Sequence, residues 1–246
     1  MVKLNKYFIS IALAITLCGS HNVFSAQENE LAVIELFTSQ GCSSCPPADK
    51  LLKELIQQDR DIIGLEFHVD YWDDLRHGFA GKWKDPFSSP RYTDRQRRYD
   101  RNRLSGQRGV YTPQAVINGG VAVVGSNRAA IQSALSSVDQ TPRVIASLQD
   151  HTDRGFTLFL TGDAKQSATV WLITFDRERV TVVPNGENAG KTLTNHNVVR
   201  KMSQIGRWNG APISIPVNEA IVTENQSCAI LVQSEGQGSI LGAILC

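Results

Sequence analysis

The sequence has no excess of charge of one sign, no apolar run long enough for a membrane span, and few aromatic residues. Its 246 residues include 25 Lys and Arg against 24 Asp and Glu, which gives a formal net charge of +1. Without a basic excess the chain has no general attraction to nucleic acid, so we predict no nucleic-acid partner. Hydrophobic residues make up 41% of the chain and aromatic residues 7%, a composition typical of globular proteins and not of disordered or collagen-like ones.

An apolar stretch at the N-terminus, residues 7–17, is too short to cross a bilayer, because a transmembrane helix needs about 20 apolar residues. Two lysines precede it, and the small residues Ser25 and Ala26 follow it. This order of features is typical of a secretory signal peptide, so we predict one over residues 1–25. The mature protein is then expected in the periplasm or outside the cell, without attachment to a membrane.

Cysteine is scarce and its count is odd, because the chain has 5. Cys18 lies in the predicted signal peptide, so the mature chain would keep an even number, which is consistent with two disulfides in an exported protein. Cys42 and Cys45 form a Cys-x-x-Cys motif. Cys228 and Cys246 lie in two predicted strands, and we predict that they form a structural disulfide that holds the C-terminus.

The Cys-x-x-Cys motif stands between a predicted strand and a predicted helix. Residues 31–37 form an apolar run typical of a buried strand, and Pro46 and Pro47 favour a first helical turn. Because a helix N-terminus stabilises a thiolate, we predict that Cys42 is the nucleophile and that Cys45 resolves the mixed disulfide. Two other interpretations are a small structural disulfide and half of a zinc site, although no second Cys-x-x-Cys motif supplies the remaining zinc ligands.

Further candidate residues follow the second predicted strand, residues 62–69. His68, Asp70 and Trp72 lie at its C-terminal end, the edge where open α/β sheets usually bind ligands. His68 is a candidate proton carrier for the thiol pair, or a third ligand for Cu(I) beside the two cysteines, since soft sulfur suits that ion. The alternative is that His68 and Trp72 only pack under the segment that follows.

A Thr-Pro pair, Thr112 and Pro113, precedes the predicted strand at residues 114–118. Together with the upstream motif it favours a cis bond, which would turn the preceding backbone toward a substrate that pairs with it as an added strand. We therefore predict that both residues bind substrate. The alternative is an ordinary trans proline at the start of an edge strand.

Residues 91–108 contain seven arginines and two aspartates. We predict a solvated helix whose arginines pair with acids, and the alternative is a lid that recognises an acidic partner or stabilises the Cys42 thiolate. Farther along, residues 186–200 lack the spacing of a phosphate-binding loop. There we predict an ordered loop in which Asn188, Asn195 and Asn197 bind backbone groups.

After Pro142 the pattern changes to alternating and β-branched segments separated by turn residues, which is typical of antiparallel β structure. Five segments, at residues 35–49, 68–73, 85–99, 110–119 and 186–200, together resemble a family of secreted bacterial proteins catalogued as domain of unknown function 1223. Residues 32–138 resemble a thioredoxin fold. The family resemblance implies a thioredoxin-like domain followed by a β-rich part, and it implies no particular activity or substrate.

We therefore predict an α/β thioredoxin-like domain at residues 31–140, with a helical insertion at about 70–108, followed by an antiparallel β-rich C-terminal domain at residues 143–246. The predicted function is that of an exported thiol–disulfide oxidoreductase that acts on protein thiols or disulfides. Since no nicotinamide, flavin or ATP motif occurs, we predict no cofactor and no metal, and a redox partner protein as the source of electrons. The alternatives are a non-catalytic binding or structural protein on the same scaffold, and a copper metallochaperone that uses Cys42, Cys45 and His68.

Overall fold

The computed structural model describes residues 32–76, 81–137, 143–152, 155–162, 166–218 and 224–246. The strands in these ranges are β1 (Ala32–Thr38), β2 (Ile62–His68), β3 (Ser105–Gly106), β4 (Gln114–Ile117), β5 (Val121–Val124), β6 (Val144–Thr152), β7 (Gly155–Gly162), β8 (Ala168–Val182), β9 (Thr192–Trp208), β10 (Ile213–Val217), β11 (Gln226–Ser234) and β12 (Ile240–Leu245). The helices are α1 (Pro46–Gln58), α2 (Pro90–Arg101) and α3 (Arg128–Ser137). None of these helices is both long and apolar enough to cross a membrane.

Nine strands form one mixed sheet in the order β12-β11-β8-β9-β2-β1-β4-β5-β3, and the other three form a small sheet in the order β10-β7-β6. At the centre of the large sheet, β1 pairs in parallel with β2 and antiparallel with β4. On its other side β2 meets β9 in parallel, where Glu66 lies opposite Val198. The long antiparallel ladder between β8 and β9 continues the sheet toward the C-terminal strands.

This topology overturns the predicted fold class. An α/β thioredoxin-like domain with a helical insertion, followed by an antiparallel β-rich C-terminal domain, is wrong, because the described residues form three helices against twelve strands, nine of which share one mixed sheet. The physical reason lies in β2, which is buried along its whole length. Its outer backbone groups need a partner away from water, and β9 from the C-terminal half lies there.

The predicted domain boundaries at residues 31–140 and 143–246 stay a prediction, and the predicted signal peptide at residues 1–25 lies outside the described residues. Periodicity in a sequence predicts single strands, and it carries no information about which sheet a strand joins. The large sheet shows this limit, because its neighbouring strands β2 and β9 are far apart in the chain.

Both faces of the large sheet are covered. Successive residues of β1 alternate between them, so that Val33 and Phe37 pack on the side of α2, while Ile34 and Leu36 pack on the side of α1 and α3. The small sheet covers the C-terminal part of the large sheet, where its Leu158 joins a core cluster. Burial of both faces explains why the central strands are continuous apolar runs rather than alternating ones.

A buried ion pair fastens α2 to the sheet. Arg95 donates from Nε to Oε1 of Glu35 in β1 at 2.6 Å, and the hydroxyl of Tyr99 donates to the other carboxylate oxygen. Gln233 in β11 completes the network, because its Oε1 accepts from Arg95 at 3.1 Å and its Nε2 donates to the Tyr99 hydroxyl at 2.9 Å. Each side chain of this four-residue network therefore has a partner, which is the condition for burying its polar groups.

Candidate functional site

Cys42 and Cys45 form a disulfide directly before α1, with their Cα atoms 5.4 Å apart. Cys45 is the N-cap residue of the helix, and Pro46 begins its first turn. The N–H groups of Ala48 and Asp49 donate to the carbonyl oxygen of Cys45 at 2.8 and 3.1 Å. The disulfide thus lies at the positive end of the helix dipole, where a thiolate formed by its reduction would be stabilised.

Neither cysteine of this disulfide reaches solvent, since Cys42 and Cys45 are each 0% exposed. Residues 185–191, which we call the covering loop, pack against the motif. Nδ2 of Asn188 donates to the backbone carbonyl oxygens of Gln40 and Cys42, both at 2.9 Å. Asn188 is itself 0% exposed, so these two hydrogen bonds are made in a site without bulk water.

One further hydrogen bond and the backbone conformation of Gly186 define the position of the covering loop. Oε2 of Glu187 accepts the backbone N–H of Ser43, inside the motif, at 2.8 Å. Gly186 has a φ of +78°, and a Cβ at that position would lie 3.0 Å from Cβ of Trp83. A side chain there would be strained in both its backbone and its packing, so the sharp turn of the loop depends on glycine.

Behind the motif lies a buried histidine between two carboxylates. His68 is 0% exposed, with Nδ1 2.7 Å from Oδ2 of Asp85 and Nε2 3.4 Å from Oε2 of Glu66. Burial by itself would lower the pKa of His68, but Asp85 and Glu66 outweigh it and raise the pKa from 6.5 to about 10. The ring is therefore an imidazolium at neutral pH. Burial would raise the pKa of Asp85, and the charge of His68 instead holds it below its usual value.

Two hydrogen bonds connect the chain before the disulfide to buried carboxyl groups. Oδ2 of Asp85 accepts the backbone N–H of Gln40 at 2.8 Å, and the hydroxyl of Thr38 donates to Oδ1 of Asp49 at 2.7 Å. Burial and the nearby charge of Glu66 raise the pKa of Asp49 well above its usual value. The chain before the disulfide is therefore held by Asp85 and is also joined to α1 through Asp49.

The structure also brings Trp72, Thr112 and Pro113 toward the motif. Nε1 of Trp72 donates to the hydroxyl oxygen of Thr112 at 2.7 Å. The Cβ of Trp72 lies 3.2 Å from where a side chain on Gly41 would begin, next to Cys42. The Thr112–Pro113 peptide bond is cis. Trp72 thus lies between the motif and the Thr-Pro pair.

Comparison with known proteins assigns this chain to a family. The model of a family described as protein of unknown function (DUF1223) matches residues 33–233. The chain belongs to this family. The resemblance predicted from the five segments is therefore confirmed.

A crystal structure of a protein from Agrobacterium tumefaciens is similar to this DUF1223 protein over most of both chains. The two sequences are 31% identical, and the match covers 87% of this chain and 92% of that chain with a TM-score of 0.72. None of the curated proteins matches this chain. This protein therefore has a relative of known structure, and the name of that relative states no activity.

The remaining predicted residues of this DUF1223 protein have other surroundings. Asp70 contacts α2. Its Oδ1 accepts a hydrogen bond from the hydroxyl of Thr93 at 2.5 Å, and its backbone N–H donates to the hydroxyl oxygen of Thr93 at 3.1 Å. Cys228 and Cys246 form the second disulfide, which joins β11 to the end of the chain after β12. The backbone N–H of Cys246 also donates to the carbonyl oxygen of Cys228 at 2.9 Å.

His68 is poorly placed for the copper hypothesis. A metal-binding imidazole needs one free nitrogen lone pair, and both ring nitrogens of His68 face carboxylates that favour the protonated ring. In the part of the chain that the structure describes, no group of three or more His, Cys, Asp and Glu side chains is arranged to hold a metal ion.

Sequence reasoning missed the acidic members of the cluster, Asp49, Glu66 and Asp85. Glu66 had a usable signal, because an acidic residue in the middle of an apolar strand is rarely buried without a partner. Asp85 had none, since it lies in an irregular segment 17 positions after its partner His68. The predicted backbone hydrogen bonds are present for Asn188, but residues 192–200 of the predicted loop belong to β9. Nothing in the sequence indicated that the groups bound by Asn188 belong to the motif.

Proposed function

We propose that this DUF1223 protein is an exported thiol–disulfide oxidoreductase that acts through Cys42 and Cys45 on thiols or disulfides of partner proteins. The observation that carries the proposal is the disulfide at the N-terminus of α1. A helix N-terminus lowers the pKa of a nearby thiol and so favours the thiolate, which is the form that takes part in exchange.

The thiol–disulfide exchange needs no reactant other than protein thiols and disulfides. A partner thiolate attacks Sγ of Cys42, the bond to Cys45 breaks, and Cys45 leaves as a thiolate. A second thiolate of the partner then attacks the mixed disulfide and releases Cys42. The partner loses two electrons and forms a disulfide, while the Cys42–Cys45 pair gains the two electrons and is reduced. A redox partner protein then reoxidises the pair. The same steps in reverse order reduce a disulfide of a partner protein.

The surroundings of the disulfide support this proposal. Ionisable groups buried at an energetic cost are concentrated at functional sites, and His68 and Asp85 lie in such a cluster behind the motif. Trp72, Thr112 and Pro113 lie beside it, and in the proposed complex they contact the partner segment. Export to the periplasm or beyond fits the two disulfides, since disulfides persist in oxidising compartments.

Exchange requires the covering loop to open, because the disulfide is buried beneath it. We expect Asn188→Ala to be reduced by dithiothreitol about tenfold faster than the wild type. The change removes two hydrogen bonds that close the loop, and each contributes roughly 0.5–1.5 kcal/mol. The rate is measured by quenching with a thiol-alkylating mass tag.

The matched control for this measurement is Asn225→Ala. Asn225 also donates a side-chain hydrogen bond to a backbone carbonyl, that of Glu178, at an exposed site away from the motif. Its substitution is expected to leave the reduction rate unchanged. Equal rates in Asn188→Ala and the wild type would show that the loop does not limit access to the disulfide.

A trapping experiment tests the oxidoreductase proposal. In Cys45→Ser the attacking Cys42 is kept and the resolving thiol is lost, so mixed disulfides with partner proteins are expected to accumulate in the envelope of the producing bacterium. They are detected on non-reducing gels and by mass spectrometry. The double variant Cys42→Ser/Cys45→Ser is the control and captures none; if Cys45→Ser also captures none, the proposal fails.

The second candidate is a non-catalytic binding protein with an inert disulfide, and the complete burial of Cys42 and Cys45 favours it. The redox potential separates the two candidates. A value between about −270 and −120 mV supports the oxidoreductase, whereas a value below about −300 mV is typical of structural disulfides and supports the binding protein.

A further inference from the structure

A groove of about 600 Å³ lies between α2 and β9. Its volume is within the range of roughly 300–1,000 Å³ that is usual for binding pockets. The lining is divided into two parts of different chemistry, an aromatic floor and a cationic rim. The floor is formed by Phe87, Tyr92 and Trp171, and the rim by Arg91, Arg98 and Arg200.

Two of the three rim arginines, Arg91 and Arg98, carry positive charge that the described part of the protein leaves uncompensated. Arg91 and Arg98 are exposed on α2, and neither forms an ion pair with any described residue. They are seven residues apart, or two helical turns, which corresponds to about 10 Å along the helix axis. Asp94, the acidic residue of the lining, is paired with Arg97 at 3.7 Å.

The floor and the rim are in direct contact at Arg200. Its guanidinium lies over the ring of Phe87, 5.2 Å from the ring centroid, and its Nε lies 3.5 Å from Oδ2 of Asp176. A guanidinium that lies over a ring can still bind a carboxylate through two parallel hydrogen bonds from its outer N–H groups. Phe87 and Trp171 are half-buried, so a ligand ring can pack on the floor.

We propose that this groove binds an acidic peptide segment of a partner protein that carries an aromatic side chain. Carboxylates four residues apart in an extended chain lie on the same side and are separated by about 13 Å, a distance that the long side chains of Arg91 and Arg98 can span. The aromatic side chain between them packs on the floor beside Trp171. The binding needs no change in the Cys42–Cys45 disulfide, so it goes beyond the proposed oxidoreductase activity.

The probe for this groove is a fluorescein-labelled peptide, Gly-Glu-Asp-Phe-Asp-Glu-Gly, titrated with the full chain and followed by fluorescence anisotropy. Saturable binding is expected to weaken by about tenfold or more in Arg91→Glu/Arg98→Glu. The control Arg60→Glu/Arg101→Glu makes the same change in net charge at exposed positions outside the groove and is expected to stay within about twofold of the wild type.

Two further measurements distinguish the floor from general charge attraction. Replacing Phe with Ser in the peptide is expected to weaken binding by about tenfold, since the aromatic contact is lost. Trp171→Phe is expected to remove the change in protein fluorescence that the unlabelled peptide produces, while binding persists. Cys42→Ser/Cys45→Ser is expected to bind the peptide as the wild type does. Failure of the oxidoreductase proposal in the trapping experiment can therefore be distinguished from failure of the peptide-binding proposal.

The proposal is overturned if the peptide does not saturate, if the two charge-reversal variants weaken binding equally, or if the Ser peptide binds as tightly as the Phe peptide. Tighter binding of a single-stranded oligodeoxynucleotide of equal charge, lost in Arg91→Glu/Arg98→Glu, would also overturn it and assign the groove to nucleic acid.

Discussion

Arg95→Met is expected to lower the free energy of unfolding by about 3–5 kcal/mol. The substitution keeps most of the apolar stem but leaves the carboxylate of Glu35, which is 0% exposed, without its cationic partner. It also removes the guanidinium from its positions 5.7 Å from the Phe67 ring centroid and 5.1 Å from that of Tyr99. Urea unfolding followed by far-UV circular dichroism measures the loss.

Arg97→Met on the same helix is the matched control. Arg97 is exposed and its ion pair with Asp94 is open to solvent, so a change of less than about 0.5 kcal/mol is expected. The double variant Glu35→Leu/Arg95→Met is expected to recover much of the stability, because no charge is then left buried alone. A loss in Arg95→Met no larger than in Arg97→Met would show that the buried pair does not fasten α2.

The free energy of unfolding is expected to decrease as the pH rises from about 6.5 to about 10, by at most roughly 4–5 kcal/mol. The cause is His68, whose pKa is raised from 6.5 to about 10 in the folded protein. A group with a raised pKa stabilises the fold fully below its unfolded pKa, and this contribution is lost as the pH rises through the folded pKa. Denaturant titrations at fixed ionic strength across this range measure the slope.

The carboxylates around His68 shape the rest of the profile. The pKa of Asp85 is lowered, so its contribution is present above its unfolded value and is lost as the medium becomes acidic. The pKa of Asp49 is raised, so its contribution decreases with rising pH, in the same direction as that of His68. Maximum stability is therefore expected at mildly acidic pH.

The control for the alkaline slope is His68→Gln. It removes the titrating ring, so the slope above pH 6.5 is expected to become shallower. The variant is also expected to be less stable at pH 6, because Asp85 and Glu66 are then left without the imidazolium between them. An unchanged slope in His68→Gln would show that this ring is not an imidazolium in the folded protein.

Much of the candidate site could be predicted from the sequence because its central part is local. The disulfide motif, the proline-started helix α1 and the strand before it are adjacent in the chain, and each is specified by residue types at short spacing. Local patterns also indicate Trp72, Thr112 and Pro113, and the structure places them beside the motif.

The parts that could not be predicted depend on pairs of residues far apart in the chain. Asn188 is 146 positions from Cys42, and Gln233 is 138 positions from Arg95. No local pattern specifies such a pair, because each residue by itself is an ordinary polar side chain in a loop, helix or strand. The buried network on α2 and the covering loop therefore became visible only in three dimensions.

The sequence by itself determined the family, the Cys-x-x-Cys motif at a helix start and the presence of the main strands, since all three depend on residue types at fixed local spacing. Only the tertiary structure decided that β9 joins β2 in one nine-stranded sheet, against the predicted fold class. It alone also decided that both motif cysteines are buried and that a cationic groove with an aromatic floor lies between α2 and β9. The physical reason is that strand pairing and burial are set by contacts between distant segments, which compete for partners over the whole chain.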